Sequence, residues 1–447
     1  MVYDSNVDQN IPHFKAKPQK YKKSANHNKG NNPVVGHNEL LDDKYHLELL
    51  FKKKYREKIA KAQTNATFRA WQAQNDQKFG FVPLNDLVMP ERDSFIKCDI
   101  DPIKMHEIVN SSGKHNFMGK QLIVNSDLKL PAWEKHLVHY WDQQLLLLLK
   151  GGFPLEVNNS NLSSTFENHK SARDFSEHVD HYLKTESEHK AILGPFDSPP
   201  IKNLHVSPLL TREKSNSSNR RVIMDLSFPK GHAVNSNVNN TNYLGTEFVL
   251  TLPTIDNIVD NILDIGPGAL LYKVDIARAF RQLKINPSDY KYLGLCHKGY
   301  YCDLSIPFGY VHGSKCMQRC TDSIRYIMSS FYNVKVVNYI DDIVACGNTR
   351  QAYFGHSRLV QVLAELGLVV NKDRNVPPST TMVCLGIEID TVKLTLAVHP
   401  SKLQQIVSEC HVWSTRKVCT RRQLQSILGL LLYITKCVKH ARFSSIE

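Results

Sequence analysis

The sequence lacks long hydrophobic runs and paired cysteines. Its most apolar stretches, residues 145–149 and 427–434, fall far short of the roughly 20 residues that a helix needs to cross a bilayer. The ten cysteines are scattered, and the polar residues 1–10 lack the basic and apolar segments of a secretory signal. A phosphate-binding Gly-x-x-x-x-Gly-Lys loop is absent as well. We therefore expect an intracellular protein, cytoplasmic or nuclear, with reduced thiols and no membrane span.

An excess of positive charge is the strongest compositional signal. The 447 residues carry 56 Lys and Arg against 43 Asp and Glu, a formal charge of +13, and 42% of them are hydrophobic. This length and apolar content suffice for two or three domains with a real core. The charge favours a polyanionic partner, because phosphate neutralisation with counterion release drives non-specific nucleic-acid binding. Nucleic acid is the simplest such partner, although an acidic membrane surface would satisfy the charge alone.

Residues 1–80 are poor in apolar side chains. Between Lys15 and Lys61, thirteen Lys or Arg stand against five Asp or Glu. Such a composition cannot bury enough apolar area to offset the entropy of ordering, so the first forty residues are predicted to be disordered. A helix is predicted from Leu40 to about Ala73. The basic run fits either a solvated face or an RNA-binding arm.

Residues 81–165 regain apolar periodicity. A stripe of aromatic and leucine side chains follows Pro131 as far as Leu148 and predicts one amphipathic helix. Such a stripe is more typical of core packing than of base stacking. The Gly-, Asn- and Ser-rich residues 151–164 then mark a boundary.

The rest of the chain interleaves strands with helices. One helix is predicted over residues 172–190, and a strand pair over 206–211 and 221–226. Later strands form antiparallel hairpins as far as Asp390, and helices follow from Pro400. This order favours an α+β fold over a doubly wound sheet.

Two carboxylates stand side by side between apolar runs. Tyr339-Ile340-Asp341-Asp342 lies between strand-like segments, so it puts two like charges where a hairpin turns, which is costly unless a cation neutralises them. Asp275 ends another strand-like run 66 residues before Asp341. Carboxylates that converge from distant strand ends can hold two divalent ions about 3.5–4 Å apart, which activates a 3′ hydroxyl and stabilises a leaving phosphate. Oxygen-only ligands of this kind suit Mg²⁺.

Residues 166–445 resemble a reverse transcriptase in five ordered segments. They are Lys273-Val274-Asp275-Ile276-x-x-Ala279-Phe280, Ile306-Pro307-Phe308-Gly309, Tyr339-Ile340-Asp341-Asp342, Gly367-Leu368-x-x-Asn371 and Cys384-Leu385-Gly386. The third segment alone would be a weak signal, whereas five in family order are specific. The resemblance implies an RNA-directed DNA polymerase that extends a primer.

Further segments resemble the DIRS-like subgroup of retrotransposons, in which a tyrosine recombinase is encoded separately. They include Leu193-Gly194-Pro195-Phe196, His205-Val206-Ser207-Pro208, Asn219-Arg220-Arg221-Val222-Ile223 and Gly266-Pro267-Gly268-Ala269. The subgroup implies that ribonuclease H and the recombinase are encoded elsewhere in the element. We expect neither within this sequence, which fits a piece of a longer polyprotein or a decayed genomic copy.

The resemblance assigns the metal site. Asp275 and Asp341 would bridge two Mg²⁺ ions, with Mn²⁺ as the alternative metal. Asp342 would assist, and the backbone carbonyl of Ile276 would complete one coordination shell. Catalysis would then consist of positioning and charge stabilisation, with in-line attack of the primer 3′ oxygen on the α-phosphate. In the competing interpretation, Asp341 and Asp342 only cap a turn.

The resemblance also assigns residues that bind the nucleotide. Phe280 lies where the family has a bulky aromatic under the sugar, which would exclude a 2′ hydroxyl; core packing is the competing role. Arg221 matches an arginine that grips the triphosphate, with Arg212 or Lys214 as a second cation. A surface ion pair with Asp225 is the alternative role of Arg221.

Other segments would contact the nucleic acid or the leaving group. Phe308 and Gly309 belong to the segment that packs on the template and nascent pair, and Cys384-Leu385-Gly386 resembles the primer-grip turn. After Gly367 the family usually has a lysine that is proposed to protonate pyrophosphate. Arg374 occupies that position here, with Lys372 two residues early, and arginine is a poor proton donor because it stays charged.

Cysteines near the proposed site offer an alternative metal. Cys316-x-x-x-Cys320, with His312 and Cys302 nearby in sequence, could suggest zinc. The spacing does not match zinc ribbons, and the pair lies on a predicted helix. We therefore expect buried thiols instead.

The prediction is an α+β fold arranged as a right-hand polymerase. We expect a basic, largely disordered extension over 1–80, a helical region over 81–165, fingers over 166–267, palm over 268–394 and the start of a thumb over 395–447. Its partners would be an RNA template, a DNA primer and dNTPs, with the hybrid held through its backbone. Two alternatives stand: a catalytically silent nucleic-acid-binding remnant, and an RNA-directed RNA polymerase, against which Phe280 and Tyr339 argue.

Overall fold

The computed structural model describes residues 116–117, 120–121, 124, 126–213, 219–247, 249–434 and 437. The helices in this part are α1 (Leu130–His136), α2 (Gln144–Gly151), α3 (Lys170–Asp174), α4 (Ser176–Glu188), α5 (Ile255–Ile265), α6 (Ala279–Gln282), α7 (Gly313–Tyr332), α8 (Thr349–Leu366), α9 (Pro400–Thr415) and α10 (Arg421–Ile434). The strands are β1 (Asn116–Phe117), β2 (Lys120–Gln121), β3 (Ile192–Phe196), β4 (Leu209–Glu213), β5 (Arg220–Met224), β6 (Asn242–Tyr243), β7 (Thr246–Glu247), β8 (Leu270–Asp275), β9 (Gly294–Cys296), β10 (Tyr300–Asp303), β11 (Val336–Tyr339), β12 (Asp342–Gly347), β13 (Val376–Ser379), β14 (Thr381–Cys384), β15 (Ile387–Asp390) and β16 (Thr395–Val398). The extension predicted over 1–80, its helix over 40–73, and Lys214 lie outside the described residues.

A four-stranded antiparallel sheet in the order β11-β12-β8-β13 forms the centre of the fold. On one face, Tyr272 and Ile343 belong to the main cluster of buried side chains together with α7 and α8. On the other face, Leu271 and Val344 pack with α5 and with β14 and β15. Successive strand residues point to opposite faces. Because both faces are covered, the sequence is apolar on either side of the Asp pair.

Helix α8 begins and ends at residues whose conformations favour those boundaries. Asn348 caps its first turn, accepting from the N–H of Gln351, whose side chain accepts from the N–H of Asn348 in return. The helix ends at Gly367, which has φ +83°. A Cβ at Gly367 would lie 2.4 Å from the carbonyl oxygen of Asp127, so only glycine fits both the conformation and the close approach.

The stripe predicted as one helix after Pro131 forms two helices, α1 and α2. Between them, Nε2 of Gln143 donates to the carbonyl oxygens of Leu137 and Tyr140 at 2.7 and 2.6 Å. These bonds satisfy backbone acceptors that a continuous helix would have used itself. Nε1 of Trp133 donates to the carbonyl of Leu366 at 2.9 Å, so α1 is fixed to the end of α8.

The helix predicted over 172–190 is also divided, into α3 and α4. Phe175 separates them with φ −119° and ψ 46°, outside the helical region. The predicted strand pair is present as β4 and β5, but the first strand begins at Leu209 instead of residue 206. Val206 instead forms bridges with Thr165 and Gly294.

The last described elements are the antiparallel sheet β14-β15-β16 and the helices α9 and α10. On α10, Ile427 is buried, whereas Leu424, Leu428 and Leu432 are exposed. The leucine stripe of α10 is therefore only partly covered within the described residues. None of the helices described here is long and apolar enough to cross a membrane.

The cysteines considered as zinc ligands lie in the core of the fold. Cys316 and Cys320 of α7 are fully buried, and Cys302 of β10 is 1% exposed. Burial raises the pKa of the Cys302 thiol to about 12 and that of Cys320 above its usual range. These side chains pack as small apolar groups.

Candidate active site

Strand register brings Asp275 next to the Asp341-Asp342 pair. β8 and β12 pair antiparallel with Asp275 opposite Asp342, and the N–H of Ile276 donates to the carbonyl of Asp341 at 3.1 Å. A slip of one residue would turn every apolar side chain of β8 to the opposite face of the sheet. The two faces pack against different neighbours, and the observed pairing places the three acidic residues at one edge.

The turn that carries Asp341 has an unusual backbone conformation. Ile340 has φ +57°, a region that β-branched residues rarely occupy. Its N–H donates to Oε1 of Gln318 at 2.7 Å, and its carbonyl accepts from Oγ1 of Thr321 at 2.9 Å. Gln318 and Thr321 are buried on α7. The helix thus holds the turn and, with it, the backbone of Asp341.

Protein groups already contact two of the three carboxylates. Oδ2 of Asp275 accepts from Nδ2 of Asn371 at 2.9 Å, and its Oδ1 lies 3.8 Å from Nη1 of Arg374. Oδ1 of Asp342 lies 3.5 Å from Nζ of Lys273 and, although buried, accepts no hydrogen bond from any described residue. In the described part of the chain, no three His, Cys, Asp or Glu side chains are grouped so as to hold a metal ion. Asp275 and Asp342 instead face cationic side chains.

Burial and neighbouring negative charges oppose ionisation of Asp341 and Asp275. Burial, followed by the charges of Asp275 and Asp342, raises the pKa of Asp341 to about 6. Burial also raises the pKa of Asp275, with a further contribution from Asp342, against the lowering effect of the hydrogen bond from Asn371. A divalent cation would stabilise the ionised forms. Carboxylate oxygens are the ligand type that suits Mg²⁺, although in the described residues the three side chains are not grouped so as to hold a metal ion.

Three of the predicted nucleotide-binding residues share one surface. The rings of Phe280 and Phe308 meet edge to face, with centroids 6.1 Å apart, and the guanidinium of Arg221 lies 5.0 Å from the centroid of Phe308. Phe280 is half-buried, whereas Phe308 and Arg221 are exposed. Gly309 has φ +107°, and its carbonyl accepts from Nδ2 of Asn235 at 2.8 Å. This contact chain links α6, which follows β8, to the β4–β5 hairpin.

A pair of arginines lies on the β4–β5 hairpin. Arg212 and Arg221 are cross-strand partners and both are exposed. Like charges directly opposite each other destabilise a strand pair. An anion bound between the two guanidinium groups would relieve this repulsion, so the pair is a candidate anion site. Oδ2 of Asp225 lies 3.0 Å from Nε2 of His169, so in the described part of the chain Asp225 pairs with His169 and not with Arg221. With Lys214 outside that part, Arg212 and Arg221 form the candidate phosphate site.

The Cys384-Leu385-Gly386 segment forms a tight hairpin turn against the last helix. Leu385 and Gly386 have φ +49° and +78°, as in a two-residue turn between β14 and β15. The carbonyl of Leu385 accepts from the hydroxyl of Tyr433 at 3.0 Å. Cys384 is fully buried, so of the three residues only Leu385 and Gly386 line an open cleft. That cleft is also lined by His399, Lys402, Trp413 and Arg416.

Side chains and backbone groups around the three carboxylates support the site, and of these residues Gln318 and Thr321 are not marked in the sequence. The N–H of Asn371 donates to the carbonyl of Asp275 at 2.8 Å, in addition to the side-chain bond. Gln318 and Thr321 have an i, i+3 spacing on a predicted helix, which is the only signal that both face one neighbour. In the segment after Gly367, Arg374 approaches Asp275.

Comparison with known proteins does not show a family for this chain. No protein-family model and no curated protein matches this chain. The solved structures similar to this chain include those of reverse transcriptases, with TM-scores of 0.41 to 0.46. A foamy viral protease-reverse transcriptase bound to double-stranded DNA is 13% identical with a TM-score of 0.46, over 76% of this chain and 54% of that one. The same viral protein bound to an RNA/DNA hybrid is 13% identical with a TM-score of 0.45, over 75% of this chain and 41% of that one.

The native prototype foamy virus protein is also 13% identical, with a TM-score of 0.41, over 76% of this chain and 43% of that one. The chain thus spans between 41% and 54% of the length of these three proteins. The described helices and strands of this chain themselves confirm the mixed helix-and-sheet class. Identity at this level does not transfer function.

Proposed function

We propose that this chain is an RNA-directed DNA polymerase of a retroelement. The observation that carries the proposal is the strand register that sets Asp275 opposite Asp342, with Asp341 bonded to the residue after Asp275. In this proposal the β4–β5 hairpin belongs to the fingers, the central sheet to the palm, and α9 and α10 to the start of the thumb. The subgroup segments support a DIRS-like element, with ribonuclease H and recombinase encoded elsewhere.

The carboxylates of Asp275, Asp341 and Asp342 and the carbonyl of Ile276 would hold two Mg²⁺ ions. Bound Mg²⁺ supplies activation of the primer 3′ hydroxyl and neutralises charge on the α-phosphate. Asn371 orients the Asp275 carboxylate by its hydrogen bond of 2.9 Å. These positions suit a reaction that depends on positioning and electrostatics.

The Arg221–Phe308–Phe280 surface would hold the incoming dNTP. Arg212 and Arg221 offer guanidinium groups for the triphosphate. Phe280, next to the site in sequence and half-buried, would stand under the sugar. The cleft beside Leu385, with Lys402, Arg416 and Trp413 on its walls, would follow the nucleic-acid backbone, since cationic and aromatic side chains suit such contacts.

Primer extension tests the proposal. Purified protein is incubated with poly(rA)/oligo(dT), dTTP and Mg²⁺ or Mn²⁺, beside an Asp341→Asn variant. Extension by the wild type alone supports the polymerase. Wild-type signal no higher than that of Asp341→Asn would instead favour a catalytically silent nucleic-acid-binding protein.

Phe280→Ala is expected to admit ribonucleotides. Removing the ring opens space for a 2′ hydroxyl, so the preference for dTTP over UTP falls on the order of 10- to 100-fold. The measurement is kcat/KM for both nucleotides on the same primer. Phe331→Ala, which truncates an exposed phenylalanine of α7, is the control. An unchanged preference in Phe280→Ala would assign Phe280 to core packing.

Arg221→Ala is expected to weaken dNTP binding. Loss of a charge-assisted contact to phosphate is worth about 1.5–3 kcal/mol, which corresponds to a rise in KM on the order of 10- to 100-fold. Arg221→Lys keeps the charge without the planar fork and gives an intermediate value. Lys202→Ala removes an exposed cation elsewhere and leaves KM unchanged. Equal KM values for wild type and Arg221→Ala would remove Arg221 from the phosphate site.

A further inference from the structure

The helix that carries Phe280 is too short to hold its own position. α6 comprises four residues, Ala279–Gln282, and a single helical turn is unstable alone because nucleation is costly. It follows Arg278, which has φ +49°, a conformation that is uncommon for non-glycine residues. Contacts from other elements must therefore fix the orientation of Phe280.

A buried carboxylate on α4 binds α6 on both sides of Phe280. Oε2 of Glu186 accepts from Nη2 of Arg278 at 2.7 Å and from Nε of Arg281 at 2.8 Å. Arg278 comes two residues before Phe280 and Arg281 one residue after it. Nη1 of Arg281 also donates to Oδ2 of Asp303 on β10 at 2.8 Å. One carboxylate oxygen thus joins the two arginines that flank the ring.

The network is both buried and charged. The side chain of Glu186 is 6% exposed and that of Arg281 is 9% exposed. Burial opposes ionisation of Glu186, but Arg281 and Arg278 outweigh it and lower its pKa. Charge-assisted hydrogen bonds in such surroundings are strong and directional. They are therefore suited to holding a short helix in one orientation.

We propose that Glu186 is a positioning residue that orients Phe280 through Arg278 and Arg281 and so sets the discrimination between deoxyribonucleotides and ribonucleotides. This inference rests on the proposed function, in which Phe280 stands under the sugar. Glu186 acts through α6 and not by contact with the nucleotide. Its removal changes selectivity more than the rate of dNTP incorporation.

Glu186→Gln tests the inference. Glutamine keeps the shape of the side chain but removes the charge and turns an amide donor toward guanidinium groups. We expect the ratio of kcat/KM for dTTP to that for UTP to fall about tenfold, since small misplacements at a site have effects of this size or larger. Turnover with dTTP is expected to change by less than this ratio does. A purely structural role would reduce incorporation of both nucleotides equally and leave the ratio unchanged.

A double variant shows whether the effect passes through Phe280. Adding Glu186→Gln to Phe280→Ala is expected to leave the ratio as it is in Phe280→Ala alone, because residues that act together are non-additive. Asp180→Asn is the matched control. It removes a carboxylate from the same helix whose partners are His297 and Lys298, and its ratio equals that of wild type.

Each outcome decides between the two claims. A wild type that extends the primer, with an unchanged ratio in folded Glu186→Gln, overturns the inference and leaves the polymerase. A further fall of the ratio in the double variant overturns it too, because Glu186 would then act by another route. A wild type that does not extend the primer overturns the proposed function, and the inference with it.

A milder variant decides the matter if Glu186→Gln does not fold. Arg278→Met breaks one contact and leaves Glu186 paired with Arg281, and the side chain of Arg278 is 31% exposed. Circular dichroism establishes that it is folded. The same fall in the dTTP-to-UTP ratio is expected, and a ratio equal to that of wild type overturns the inference.

Discussion

We expect Asp341→Asn and Asp275→Asn each to reduce primer extension at least about 10³-fold, to the background level. Each substitution keeps the volume of the side chain and removes one negative charge from the proposed metal site. The two residues come from strands that the sheet register sets side by side. Loss of either therefore removes one of the three carboxylates that we propose as metal ligands at this edge of the sheet.

The folded state survives these substitutions. Burial and neighbouring carboxylates raise the pKa of Asp341 to about 6. At pH 7 the side chain is therefore ionised in the folded protein, which lowers its stability. This cost disappears below about pH 4, where the group is protonated in both the folded and the unfolded state. In metal-free buffer at pH 7, Asp341→Asn is expected to unfold at the wild-type temperature or above it. Thermal unfolding followed by circular dichroism gives this comparison.

A matched substitution separates site from surface. Asp197→Asn changes an exposed aspartate and leaves extension at the wild-type rate. If Asp275→Asn and Asp341→Asn both fold and extend the primer within tenfold of wild type, the two residues do not form the catalytic site.

The second large effect that we expect is on stability: Arg319→Met lowers the free energy of unfolding by about 3–5 kcal/mol. Nε and Nη2 of Arg319 on α7 donate to the two carboxylate oxygens of Asp142, each at 2.6 Å. Both side chains are 1% exposed. Removing the guanidinium leaves a carboxylate buried without its partner, in the segment between α1 and α2.

Denaturant unfolding measures this cost. Asp142→Leu combined with Arg319→Met removes both charges and recovers most of the loss, because replacing a whole buried pair by apolar groups is often neutral. Lys298→Met, which breaks an exposed pair with Asp180, costs less than about 1 kcal/mol. A loss below about 1 kcal/mol in Arg319→Met would mean that water reaches Asp142 and that this pair does not fix α1 and α2 to the rest of the protein.

The central hairpin could be predicted because its signals are local. Apolar strands on either side of Asp341 and Asp342 specify two paired strands, whatever the rest of the chain does. Asp275 closes a third apolar strand, whose apolar side chains are buried on both faces of the sheet. The strands and the turn follow from patterns within a few residues, whereas the register that sets Asp275 opposite Asp342 joins distant segments of the chain.

The division of the two predicted helices and the partners in the ion pairs could not be predicted from such local patterns. The stripe after Pro131 has helical spacing throughout, and the break between α1 and α2 depends on Gln143 bonding backbone carbonyls. Asp142 and Arg319 are 177 residues apart. Hydrophobic periodicity cannot connect residues at that separation. The partner of a polar residue is chosen by three-dimensional proximity, and spacing in the chain carries no record of it.

The sequence by itself determined the helix-and-sheet class and the Asp-Asp turn, and it suggested the aromatic and basic residues that we propose for the nucleotide. Only the tertiary structure decided that Arg221 contacts Phe308 and not Asp225, that Cys384 is buried behind its turn, and that Glu186 joins the arginines around Phe280. The reason is physical. Hydrophobic periodicity acts over one or two turns of chain, whereas buried charges take whichever partner packing brings within about 3 Å.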